Sequence, residues 1–400
     1  MLWSIELPWS LGQGIIKIPT FDRAFSPTTM KIKPLRACYP ILEKIESSEV
    51  FCDEAKHMYR SYVADELYQK APKPAFFIYQ IQSITGEHTG LVALNEVEDF
   101  FDGKVKKHEA TLGEREKQQT DLFLRWEAVL KPVLLTYPAV PEISTWLNGF
   151  VRKSKPLFVA KFKQGKVLHR VWAVTDETAI EDLQDLFTQN VKSTYIADGH
   201  HRTTTMAMLH ELRDAYPAYD FDHLFCAFFA TDQLDILDYN RAAEIPADMT
   251  ATQFMAHISR VFDIEMLESE RRPMDKHEIV MCLRKEWYSL HWRPEIVQGM
   301  DEQNALLDAT LLNERVLGNI LGIRDVRSDT RVTYIDGSKG LKGLLKAASA
   351  RNRVGFALYP VHFADMMFLA DAGEILPPKS TYFEPRLKSG LLVQDLKREG

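Results

Sequence analysis

The chain has 400 residues, of which 46% are hydrophobic and 26% charged, a balance that excludes intrinsic disorder and fibrous classes. The length suggests about two or three domains with substantial cores, and a formal charge of -7 argues against a broad nucleic-acid-binding face. Four cysteines, Cys38, Cys52, Cys226 and Cys282, fall in neither metal-finger nor redox-pair spacing, so a reduced, cytoplasmic setting is the expectation.

Residues 1–20 are apolar but interrupted by Glu6, Pro8, Gln13, Lys17 and Pro19, so they do not read as a signal peptide. No stretch approaches the roughly 20 apolar residues that cross a bilayer. Residues 38–74 are mostly helical in pattern. The aromatic-rich alternation at 75–82 predicts a strand, and Thr85-Gly86-Glu87-His88 a hairpin turn into a second strand at 89–95. A short helical turn follows at 96–102, then an extended piece at 105–109 leading into a polar helix at 115–130. Strands at 157–163 and 167–174 flank Gln164-Gly165-Lys166, and residues 176–190 form an amphipathic helix. Residues 193–197 read as a strand, 204–216 as a helix, 224–230 and 234–238 as strands ending at Tyr239-Asn240-Arg241. The pattern from 248 to about 284 is helical, and strands return at 326–335 and 354–359. Short strands and hairpins without regular βαβ alternation predict an α+β fold with mixed short-stranded sheets and helices.

Three polar constellations stand out. In Ala197-Asp198-Gly199-His200-His201-Arg202-Thr203 a strand end meets a helix start, where unsatisfied backbone N–H groups and the helix dipole favour an anion. Gly199, Arg202 and Thr203 are candidate phosphate or nucleotide contacts, Arg202 through a bidentate fork, and Asp198, His200 and His201 can move protons or, for Asp198, hold a metal. The plainer account has Asp198 capping the helix, Gly199 making the turn and the histidines solvated. The second is Lys106-Lys107-His108-Glu109, in which two cations can bind phosphate beside His108 or Glu109 as general base. A solvated charged turn explains the same four residues. The third is Pro378-Lys379-Ser380-Thr381 with Arg386 and Lys388. Lys379 and Ser380 can hold phosphate oxygens there, although the spacing is not that of a P-loop. Arg241, at a predicted strand end, is a further anion-binding candidate. Alternating charges at Asp325, Arg327, Asp329 and Arg331 read as an ion-pair ladder on a strand edge.

The Asp-Gly-His-His-Arg stretch resembles the signature of the domain-of-unknown-function family 1015. Three further segments agree in order: Lys106-Lys107-His108-Glu109 followed by Glu114-Arg115-Glu116, then Pro132-Val133-Leu134-Leu135-Thr136-Tyr137, then residues 376–391. The resemblance spans about residues 75 to 396. It implies a natural start near Met30, because relatives begin at a strand like Lys31-Ile32-Lys33-Pro34. It also implies a division into an N-terminal extension (1–29), a signature domain with a phosphate site (30–245) and a C-terminal α+β region returning the Pro-Pro-Lys-Ser segment (246–400). Where relatives carry a histidine before Arg241, this chain has Asn240, which puts a proton-transfer role there in doubt.

The signature is in turn similar to the phosphate-binding turn of the ParB and sulfiredoxin superfamily, and most of all to that of free-serine kinases. A ParB/sulfiredoxin-like core is therefore the implied fold. The implied activity is phosphoryl handling on a small metabolite such as serine or phosphoserine, as a nucleotide-dependent kinase or a phosphatase, with Mg²⁺ and ATP or ADP as cofactors. The alternative is a ParB-like nucleotide-sensing or DNA-associated module. Acidic residues Glu211, Asp214, Asp220 and Asp222 after the signature helix speak against nucleic acid, and His200 stands where sulfiredoxin-type repair needs a cysteine. The expected partner is a small phosphorylated metabolite or nucleotide, with no membrane, and homo-oligomerisation is left open.

Overall fold

Phe76–Gln82 is almost wholly buried because it lies inside a nine-stranded sheet covered on both faces. In the computed structural model, which describes residues 29–84, 86–111, 113–163, 166–297, 307–350 and 352–398, this strand pairs antiparallel with both Glu87–Glu96 and Val167–Val174. Val167–Val174 also pairs antiparallel with Phe158–Phe162, so the strands on either side of each predicted hairpin turn are joined as expected. The sheet runs Val105–Lys106, Thr194–Asp198, Val133–Tyr137, His223–Ala230, Glu87–Glu96, Phe76–Gln82, Val167–Val174 and Phe158–Phe162, with Ile32–Lys33 added on Glu87–Glu96. Two pairs are parallel: Thr194–Asp198 with Val105–Lys106, and His223–Ala230 with Val133–Tyr137. The proposed N-terminal extension lies, apart from residue 29, outside the described residues.

A second, six-stranded sheet is antiparallel throughout, in the order Phe262–Leu267, Glu286–Trp292, Glu278–Leu283, Arg353–Leu358, Tyr239–Glu244 and Val332–Asp336. Period-two alternation splits its side chains between two cores. Ile279 and Met281 pack with Phe254 and Ile258 of the Ala251–Ile258 helix, whereas Val280 and Cys282 pack with Leu344 and Ala348 of the Gly340–Ala348 helix. The fold is α+β, with one mixed sheet and one antiparallel sheet.

The helical expectation for 248–284 holds only at Ala251–Ile258; Phe262–Leu267 and Glu278–Leu283 are strands. Glu278–Leu283 is buried on both faces and carries no period that separates helix from strand, whereas Phe262–Leu267 exposes Asp263 and Glu265 in a period-two alternation that the helical reading missed. The turn joining Glu278–Leu283 to its partner also lacks a signal, since Arg284 and Lys285 occupy left-handed conformations (φ 55° and 71°) usually taken by Asn-Gly or Gly. The expected ladder at 325–331 is instead a loop in which Arg331 grips Asp329 at 2.7 Å.

After Arg353–Leu358 the chain returns to the first sheet. Met366 and Ala370 of the Phe363–Asp371 helix enter the first core, as do Phe383, Leu387, Leu391, Leu392 and Leu396. Tyr382–Glu384 pairs with Asp235–Leu237, and Gln394–Asp395 with Ala128–Val129. The segment from 376 to 386 is thereby laid along the junction of the two sheets. Among the described residues no helix is long and apolar enough to cross a membrane.

Gly90, in the middle of the first sheet, marks a close approach of neighbouring strands. A Cβ there would meet the Phe229 ring and lie 2.5 Å from the Phe228 carbonyl oxygen. Gly90→Ala is expected to destabilise the protein by about 1–3 kcal/mol through overpacking, read as a lower urea midpoint; an unchanged midpoint would show that the strands can separate at little cost.

Candidate functional site

The strand Thr194–Asp198 ends at Gly199, whose φ of +112° is one that side-chain-bearing residues rarely adopt. A Cβ at Gly199 would also come 2.8 Å from the Arg202 guanidinium. The next residue already begins the His200–Glu211 helix. His200, His201, Arg202 and Thr203 thus form its first turn, four residues earlier than the apolar spacing predicts. The reason is burial on several sides: Thr203, Thr204 and Thr205 are as enclosed as Met206 and Leu209, so this half of the helix shows no apolar stripe.

Asp198 holds this corner together. Its Oδ2 accepts from Lys131 Nζ at 2.8 Å and Arg202 Nη2 at 2.7 Å. Burial alone would raise the Asp198 pKa, yet Lys131 and Arg202 together hold the carboxyl far below the usual carboxylate range. Arg202 Nη1 donates to the backbone carbonyls of Lys131, at 2.8 Å, and Pro132. Arg202 was expected as an accessible phosphate fork. Its side chain is only 12% exposed and its donors serve the chain itself, because the turn leaves two strand-end carbonyls that need partners. The hydroxyl of Thr203 likewise returns to the Gly199 carbonyl, at 3.3 Å.

The second constellation arrives from the edge strand Val105–Lys106. His108 is buried, its Nε2 lies 3.3 Å from Thr381 Oγ1, and its ring stands edge-on to that of His200 at 4.6 Å. The His108 backbone N–H donates to His200 Nε2 at 3.5 Å. Accepting there leaves the His200 proton on Nδ1, which faces the Glu109 carboxylate at 3.6 Å. Burial pushes the His108 pKa down to about 4, and burial followed by the His108 charge pushes His200 well below its usual value. Burial raises Glu109. Two neutral imidazoles therefore back a carboxyl poised closer to neutrality than an exposed one.

The third wall comes from residues 376–386. Leu376 N–H donates to the His108 carbonyl at 2.9 Å, and these residues with Tyr239 close a cleft of about 260 Å³. Lining it are His108, Glu109, Asp198, Gly199, His200, His201, Arg202, Lys379 and Ser380, all expected from sequence, together with Arg115, Gln119, Tyr239, Thr381 and Arg386. Ser380 spends its hydroxyl on the Pro377 carbonyl at 2.8 Å. Buried His201 Nδ1 has no hydrogen-bond partner, and burial, then Arg115, lowers its pKa.

Four expected residues do not line the cleft, the fully buried Thr203 among them. Lys106 is drawn away by Asp371 at 2.7 Å and by the Tyr195 ring. Lys107 does not line the cleft, although its charge contributes to lowering His200. Arg241 is not at a strand end but inside Tyr239–Glu244, fully buried, donating to the Tyr239 carbonyl at 3.1 Å and resting 5.4 Å from the Tyr334 ring centre. Burial pushes its pKa down to about 10. It shares a strand face with Tyr239, two residues farther from the cleft.

Sequence reasoning passed over Lys131 and Tyr239. Lys131 lies between the short strand Ala128–Val129 and the buried strand Val133–Tyr137, so only the tertiary pairing with Asp198 gives it a role. As a Mg²⁺ ligand Asp198 fits poorly, since one oxygen already receives two cations, and among the described residues no group of three or more His, Cys, Asp or Glu side chains could hold a metal ion.

The model of a family described as a protein of unknown function (DUF1015) matches residues 39–311, and the chain belongs to that family. The matched span ends before residues 376–391. No curated protein matches the chain. Among solved structures, C-terminally truncated SbnI from Staphylococcus aureus is similar at 11% identity and a TM-score of 0.40, over 76% of this chain and 87% of that one. A free serine kinase in complex with AMP is similar at 13% identity and 0.38, over 76% and 91%. A conserved hypothetical protein from Pyrococcus furiosus is similar at 12% and 0.34, over 75% and 95%.

Two outcomes follow from this geometry. Arg202→Ala strands Asp198 with one cation and leaves two carbonyls unpaired, so it should cost roughly 2–3 kcal/mol of stability in urea denaturation; a loss within experimental error would mean the fork is dispensable to the turn. The second concerns pH. His108 has a folded pKa of about 4, below its ordinary value of 6.5, so unfolding takes up a proton in acid. Its contribution is complete above about pH 6.5 and declines as pH falls through 6.5 toward 4, by on the order of 3 kcal/mol. His108→Asn should flatten that part of the stability profile, and equal pH slopes in wild type and variant would place the acid sensitivity elsewhere.

Proposed function

We propose that the cleft binds a phosphorylated small metabolite and transfers or hydrolyses its phosphoryl group, with serine or phosphoserine as the substrate implied by the family's resemblance to free-serine kinases. The observation that carries this reading is the charge arrangement. Arg115, Lys379 and Arg386 line the cleft with no carboxylate within ion-pair distance among the described residues, and of the two carboxyls that line it, Asp198 is taken by Lys131 and Arg202, which leaves Glu109. Positive charge placed where phosphoryl oxygens gather negative charge lowers the barrier to in-line transfer.

Glu109 is the general base. In the kinase direction the serine hydroxyl oxygen attacks the terminal phosphorus of a nucleoside triphosphate, its proton passes to Glu109, and the diphosphate departs. In the hydrolytic direction water attacks the phosphorus, its proton passes to Glu109, and the serine oxygen leaves on the opposite side and is protonated from solvent. The raised Glu109 pKa suits either task near neutral pH. His200 Nδ1 faces the carboxylate at 3.6 Å, and burial of the two histidines favours their uncharged forms.

Thermal-shift measurements against ATP, ADP, CTP, serine and phosphoserine, each with and without Mg²⁺, test the reading directly. A ligand present at a hundred times its Kd adds about 2.7 kcal/mol to the folded state, and the absence of a shift with every phosphorylated compound would remove the proposal. With a substrate in hand, Glu109→Gln should lower turnover by roughly a hundredfold while affinity changes little. Wild-type turnover in that variant would transfer the base role to His201, whose Nδ1 lacks a partner.

A further inference from the structure

The helix that first suggests an anion grip has already spent its arginine, and the opposite wall offers what it lacks. Lys379 has a left-handed backbone (φ 58°), unusual for a residue with a side chain, which turns the loop between its two anchors. The loop is fixed at both ends: Leu376 N–H donates to the His108 carbonyl at 2.9 Å, and Tyr382–Glu384 pairs with Asp235–Leu237. Between these anchors Ser380 closes a turn onto the Pro377 carbonyl.

Two aromatic rings then set the positions of two cations. Lys379 Nζ rests 5.5 Å from the centre of the Tyr239 ring, and the Arg386 guanidinium lies 4.0 Å from that of Tyr382. The rings themselves meet edge-on at 5.7 Å, so the two cations stand on one aromatic base. A cation–π contact steadies a charge without consuming its N–H donors. Neither Lys379 nor Arg386 has a carboxylate within ion-pair distance among the described residues, and both line the cleft. Arg386 is close enough to Asp198 for its charge to help lower that carboxyl. Because Lys131 and Arg202 already more than balance Asp198, the added pair gives the cleft more positive charge than a single carboxylate group would compensate.

We infer that Lys379 and Arg386 form a two-pronged clamp for the dianionic phosphate of a phosphomonoester, held across the cleft from Glu109. The inference rests on the phosphoryl reading above and adds to it where the phosphate sits and which chemical class of ligand is selected. Thr381, beside the clamp, touches His108 Nε2, so the loop that grips phosphate is registered to the wall that carries the base.

Isothermal titration with O-phosphoserine, inorganic phosphate and serine tests the clamp on wild-type protein and on Lys379→Ala, Arg386→Ala, Arg386→Lys and the double alanine variant. Both side chains are exposed, so thermal midpoints should stay at the wild-type value. The expected result is a loss of phosphoserine affinity of about tenfold or more for each single alanine change and a larger loss for the double variant. Arg386→Lys should recover only part, because an ammonium cannot present the planar fork, and serine binding should not change. Wild-type phosphoserine affinity in the double variant would overturn the clamp while leaving phosphoryl handling intact. No binding of either phosphate probe to wild-type protein would overturn both.

Discussion

Everything around the cleft depends on how three charges, Asp198, Lys131 and Arg202, are held where a strand becomes a helix. Sheltering such groups from water carries a cost that only close pairing offsets, and here one carboxylate oxygen receives both cations at 2.7 and 2.8 Å. The same arginine closes the carbonyls of Lys131 and Pro132 at the mouth of the neighbouring strand Val133–Tyr137. Strand end, left-handed Gly199 and helix start are therefore one mechanical unit. Its consequence is directional, because beginning the helix at His200 turns that imidazole toward Glu109 and the backbone of His108.

A division of labour follows between residues that resemble one another chemically. Of the two arginines beside Asp198, Arg202 is structural and Arg386 is left to face the cleft. Of the basic residues in the Lys-Lys-His-Glu segment, Lys106 serves Asp371 on the outside while His108 is desolvated and neutral. Burial decides each case, since it determines which groups can meet water or a ligand and which must find partners within the chain.

The second sheet contributes to the cleft without containing it. Tyr239 begins the strand Tyr239–Glu244 immediately after Asp235–Leu237 has paired with the returning C-terminal segment. The junction is tight: a Cβ at Gly337 would lie 2.7 Å from Leu237 Cβ and 2.8 Å from the Asp238 carbonyl oxygen. A contact this close lets the first sheet, the second sheet and the C-terminal loop present side chains to one small volume.

The sequence by itself determined the α+β class, both hairpins of the first sheet and the chemical character of the site, because these follow from local pattern: alternation at 76–82, turn residues between strands, and polar types packed at a strand-to-helix turn. The grouping of His108 and Glu109 with Asp198, His200 and His201 was legible only as two segments that a fold could bring together. Tertiary structure decided which of the charged residues are available. Arg241 and Arg202 read as anion binders at a strand end and a turn, yet one lies inside a sheet and the other closes the turn, since a side chain's partners come from segments far away in the chain. Lys131 acquired its role for the same reason. The strand at 278–283 was also settled by packing, because a run buried on both faces has no polar side to reveal its period, whereas the alternation in Phe262–Leu267 was legible locally.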